Sequence, residues 1–188
     1  MFFLRPIKSW LDSFRSDERG SVTVEAAITL PLLFWAIAAS YEFFEIHRYN
    51  SARDKATYTI ADMFSRELQS VTPTYMNSAK TVFDTIANDN GTNSVRVTIV
   101  KYDSDEDEYS VKWSQVRGSA DLSPMETSEV STAHDTLPAM ADGEELIIVD
   151  SSSTYPPVFD VGFNDNVVVT TRVMTSPRFA PQINWSNS

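Results

Sequence analysis

The chain has 188 residues, a formal net charge of −11, 42% hydrophobic residues and no cysteine. So acidic a balance excludes a nucleic-acid-binding surface, which needs a basic footprint. The lack of cysteine excludes disulfides, thiol catalysis and cysteine-ligated metal, but leaves the compartment open, because an exported protein can lack disulfides.

Residues 1–20 read as a cytoplasmic basic leader. Four basic residues (Arg5, Lys8, Arg15, Arg19) against three acidic ones (Asp12, Asp17, Glu18) leave it at +1, so the remainder carries −12. Next comes Val22–Tyr41, twenty residues in which Glu25 is the single charge. A helix of that length spans about 30 Å, the thickness of a bilayer's hydrocarbon core. Residues 21–45 are therefore read as a transmembrane helix in contact with the lipid bilayer, with Trp35, Tyr41, Phe43 and Phe44 as an aromatic belt. Pro31 is expected to kink or locally melt it. The basic leader places the N-terminus in the cytoplasm and the acidic remainder outside. A secretory signal peptide is the competing reading, with Ala36-Ile37-Ala38 as a small-x-small cleavage site. Against it stand the long leader, the acid inside the apolar run and the lack of a turn signal after it.

Glu25 has two readings. A carboxylate costs about 2.5–3.5 kcal/mol at the middle of a membrane helix and less near its end, so it can be an interfacial acid without a role. Intramembrane acids also tend to pair with cations. If the chain is cut after Gly20, the new ammonium group of Ser21 lies one helical turn from Glu25.

Residues 46–70 continue the helix in amphipathic form. Ile46, Tyr49, Ala52, Ala56, Ile60, Met63 and Leu68 recur at mostly helical spacing and are expected to cover a sheet. Residues 71–188 form the extracytoplasmic α+β domain. Pro73 is expected to break the helix and Thr74 to cap a second one through Ala79, Val82, Phe83 and Ile86, which "NDNGTN" ends with Gly91 at positive φ. Strands are predicted at Val95–Tyr102, Tyr109–Val116, Glu144–Asp150 and Val167–Met174, the first two forming a hairpin across "DSDEDE". Alternation puts Tyr109, Val111 and Trp113 on one face. Glu129–Met140 reads as a poor helix or loop, and the tail "SPRFAPQINWSNS" as extended and polar. A long N-terminal helix, a second helix and an antiparallel sheet of about four strands make the predicted fold α+β.

Little in the chain suggests catalysis. The acidic run Asp103, Asp105, Glu106, Asp107, Glu108 suits calcium chemically but lacks EF-hand spacing, and reads as a solvated turn. His134-Asp135 has no G-x-S-x-G beside it, and there is no Walker, dinucleotide or H-E-x-x-H motif. No enzyme activity, cofactor or metal is expected.

The stretch "DERG" followed by "SVTVEAAITLPLLF" resembles the class III signal of type IV pilins and pseudopilins. In that pattern a basic leader ends in glycine and a hydrophobic helix carries glutamate at mature position five. The match is closer to the TadE/TadG-like pseudopilins of the Tad/Flp tight-adherence pilus systems, with an acidic-aromatic exit "YEFFEIHRYNSARDKATYTIADMFSREL". "LPAMADGEELIIVDSSSTYPPVF" is similar to that family's periplasmic half. Ala26 departs from the pattern, where an aromatic residue usually follows the glutamate. The resemblance implies a pilin-like domain outside an inner-membrane anchor, cleavage by a prepilin peptidase between Gly20 and Ser21, and an assembly role for Glu25. It also implies other pilin subunits and inner-membrane assembly machinery as partners, with the mature protein in the membrane or in an extracellular pilus. The length fits a minor pilin better than the short major one. The alternative function is a single-span anchored, or secreted, binding module that does not polymerise.

Overall fold

A computed structural model describes residues 19–88, 92–118, 122–159 and 167–187. Residues 1–18, which include most of the expected leader, and Gly91 lie outside the described residues. The fold is α+β. Helix α1 runs Arg19–Ser65, α2 Pro73–Ala87, β1 Asn93–Asp103, β2 Glu108–Gly118, β3 Glu145–Tyr155 and β4 Val167–Thr175. The strands form one antiparallel sheet in the order β2-β1-β3-β4. The chain divides into two compact units, Met1–Phe44 with Pro157–Phe163, and Glu45–Pro156 with Asn164–Ser188.

Within the second unit, one face of the sheet packs on helices. Val95, Val97, Ile99, Ile147 and Val149 meet Ala56, Ile60 and Phe64 of α1 and Met76, Ala79 and Phe83 of α2. These helical residues recur at three- and four-residue spacing, which places them on single stripes. The other face carries Val100, Leu146 and Ile148 and is covered by Met125, Val130 and Leu137 from the connection between β2 and β3. Both faces of β1 and β3 are therefore buried, and their sequences read as apolar runs as much as alternations.

Several expectations are corrected. Helix α1 continues through Pro31 rather than melting, because a proline removes only one ladder hydrogen bond and the turns on both sides persist. It ends at Ser65, leaving Leu68 exposed beyond it. Pro73 opens α2, and Thr72, not Thr74, caps it by accepting the Tyr75 N–H at 3.2 Å. A proline at the first helical position lacks an N–H that the helix would leave unpaired anyway. Asn88, in the left-handed region at φ 53°, closes the helix. In β2 the register slips between Ile99↔Trp113 and Val100↔Val111, leaving Lys112 as an extra residue. That bulge turns Trp113 to the helix-covered face while Tyr109 and Val111 face the other cluster.

The tail is extended, but it is also part of the core. Ile183 is buried, Val71 bridges Trp185, and the Trp113 indole N–H donates to the Ile183 carbonyl at 2.9 Å. Strand β3 extends past Asp150 through three serines, all buried. The hydroxyls of Ser151 and Ser153 meet polar groups of α1 and β1. Thr57 and Ser151 hydroxyls lie 2.9 Å apart, and the Ser153 hydroxyl donates to Asn93 Oδ1 at 2.6 Å. Arg53 of α1 is buried beside them, stacked on the Tyr49 ring and reaching Asn93 Oδ1 at 3.4 Å. Asn93 in turn donates to Asp84 of α2, which also pairs with Lys80. Groups this deep are stabilising only when hydrogen-bonded, and the network links α1, α2, β1 and β3 through side chains.

Candidate functional site

The first unit consists of the apolar half of α1 with the segment that follows β3. From Val22 to Phe44 the large apolar side chains stand exposed, including Val22, Leu30, Leu33, Phe34, Trp35, Ile37, Tyr41 and Phe44. None of the most apolar window of this helix is buried within the chain, and its length and composition are those of a membrane span. It is compatible with single-pass anchoring. An apolar face this large, if left in water, is an aggregation liability or a binding surface.

Gly20, Ser21 and Glu25 are all on α1, with Ser21 and Glu25 one turn apart. A side chain added at Gly20 meets nothing within 4 Å. Glu25 is exposed and, among the described residues, has no ion-pair partner. The three residues thus lie together on the first turns of the apolar helix, with open space at Gly20 and Glu25 exposed.

Sequence reading overlooked a second acid, Glu42. It is completely buried, and its carboxylate oxygens accept the backbone N–H groups of Val158 and Phe159, each at 3.2 Å. Tyr41 meets Phe159 edge-on at 5.7 Å between ring centroids. Phe34, Ile37, Ala38, Tyr41, Val158 and Phe159 together wall an apolar groove of about 560 Å³. The available signal was the run "YEFFE", which places an acid among aromatics directly after the twenty-residue apolar run, but no local pattern names its distant partners.

The other candidates from the sequence have local structural roles. Asp103 Oδ1 accepts the N–H groups of Asp105 and Glu106, and the Tyr102 hydroxyl donates to Asp107, pushing the Tyr102 phenol up to about 12. Across the turn, Asp142 accepts the Ser104 N–H, which holds its carboxyl below the ordinary value. The acidic run is therefore tied down as a hairpin turn. No group of His, Asp and Glu among the described residues is arranged to hold a metal ion. His134 and Asp135 are exposed, with the imidazole 5.1 Å from the Tyr109 ring.

No family model matches the chain, and comparisons with curated proteins and with solved structures likewise return no match.

Proposed function

We propose that the chain is a minor pilin or pseudopilin of the TadE/TadG type, anchored by α1 and taking part in the assembly of a Tad-type pilus. The observation that carries this reading is that Gly20, Ser21 and Glu25 lie on one exposed, unbroken apolar helix whose C-terminal half is built into a folded α+β domain. A prepilin peptidase cuts between Gly20 and Ser21 and leaves a free ammonium group on Ser21. Glu25 then attracts the ammonium group of a neighbouring subunit, or its own, as apolar helices pack side by side. In low dielectric an unpaired acid is costly, so this pair fixes the axial register of the helices. The domain lies on the periplasmic side of the inner membrane until assembly and presents its outer surface on the pilus.

The test is Glu25→Ala in the native host, with membrane level and surface pili both measured. The expected result is normal membrane insertion with pilus output lost. Unchanged output contradicts the pairing role. The anchored binding module that does not polymerise draws its support from Ala26, which stands where that family favours an aromatic residue.

A further inference from the structure

The segment after β3 has the properties of a membrane-contacting loop. Pro156 and Pro157 have no backbone N–H, and the N–H groups of Val158 and Phe159 are both accepted by the buried Glu42 carboxylate. Across these four positions no backbone N–H is left needing water, which removes the donor part of the cost of bringing chain to an apolar boundary. The side chains fit the same environment. Val158 is 59% exposed and Phe159 47% exposed, although neither is polar. They lie against Phe34, Ile37, Ala38 and Tyr41, which follow one helical face over about 10 Å at the C-terminal end of the twenty-residue span. The groove is thus continuous with the helix surface that the proposed function assigns to lipid.

From this geometry we infer that Pro157–Phe159 is a second membrane contact. Glu42 staples it to α1, Val158 and Phe159 enter the interfacial layer, and a lipid acyl chain fills the groove. Tyr41 and Phe159 then act as paired interfacial aromatics, with their rings in the acyl boundary. Glu42 serves as a positioning residue here. Its carboxylate replaces the water that the two amides would otherwise hold, and it loses contact with solvent in doing so. Two attachment points, a span and a loop, restrict rotation of the chain about the helix axis, which a single helix cannot do.

This inference rests on the membrane reading of α1, so its test includes a control for that reading. The chain contains no cysteine, and single cysteines can carry a nitroxide without background. The full chain is reconstituted in phosphatidylcholine–phosphatidylglycerol vesicles with a label at Leu33→Cys, Val158→Cys, Phe159→Cys or Lys55→Cys. Accessibility to oxygen, which concentrates in lipid, is compared with that to a water-soluble nickel chelate. Labels at 33, 158 and 159 are expected to favour oxygen, and the label at 55 the chelate. Adding Glu42→Ala should return the label at 159 to the chelate-accessible class while leaving the label at 33 in lipid. A label at 33 in lipid with 158 and 159 in water overturns the second contact but not the anchor. Labels at 33 and 159 both in water overturn both. Dipolar broadening at 159 that disappears on dilution with unlabelled protein means that a second copy fills the groove, and also overturns the proposal. If Glu42→Ala leaves 159 in lipid, the staple is overturned.

Discussion

Asp150 of β3 holds Arg96 of β1 across the sheet, accepting from its Nε at 3.0 Å and its Nη2 at 2.8 Å, with both side chains about nine-tenths buried. The two are direct cross-strand partners, and Arg172 of β4 lies opposite Asp150 on its other side. A second cation therefore reaches the same carboxylate, with its Nε 2.6 Å from Oδ1, but Arg172 is 44% exposed. Removing one partner of a buried pair strands the other. Asp150→Ala is expected to destabilise by about 3–5 kcal/mol, whereas Arg172→Ala costs roughly 0–1 kcal/mol because solvent replaces it. Thermal unfolding of the full chain in detergent, followed by circular dichroism, separates the two. Equal losses would contradict this assignment.

Gly118 ends β2 opposite Ser94 at φ +123°, where L side chains are strained. A Cβ there would stand 2.2 Å from the Asn93 carbonyl oxygen, a backbone atom that cannot swing aside. Gly118→Ala is expected to cost about 1–3 kcal/mol through strain. Because Asn93 also anchors the polar network, the loss should appear together with increased hydrogen exchange at Ser153. An unchanged melting temperature would contradict it.

Alkaline stability tests Tyr75. Burial pushes its phenol up to about 12, assisted by the nearby Glu67 carboxylate. The unfolded phenol ionises near pH 10 while the folded one stays protonated, so stability is complete below about pH 10 and falls between there and pH 12. After allowance for its partial exposure, the loss is on the order of 1 kcal/mol. Tyr75→Phe should flatten this decline, read as the urea midpoint at pH 9 and pH 11. Parallel declines in the two proteins would contradict the assignment.

The elements that could be read from the sequence were those whose pattern is local. The twenty-residue apolar run, the stripe Ala56–Ile60, Ala79–Phe83 and the β-rich run beginning at Val95 each announce an element from their own spacing. What could not be read depends on partners far along the chain. Ser151–Ser153 look like a loop until Thr57 and Asn93 are opposite them, and the order of Trp113 against Val111 depends on a bulge that only pairing with β1 reveals. At the candidate site, Gly20, Ser21 and Glu25 were legible because they are neighbours on one helix. Glu42 was not, since its partners lie more than a hundred residues away.

In the proposed function Gly20 and Glu25 work together, the glycine marking the cut that frees the amine Glu25 needs. Mass spectrometry of the mature N-terminus from native membranes decides whether that cut occurs. A chain beginning at Ser21, dependent on the host's prepilin peptidase, is the predicted result. A chain still carrying residues 1–20, or one beginning near Ala39, would contradict it.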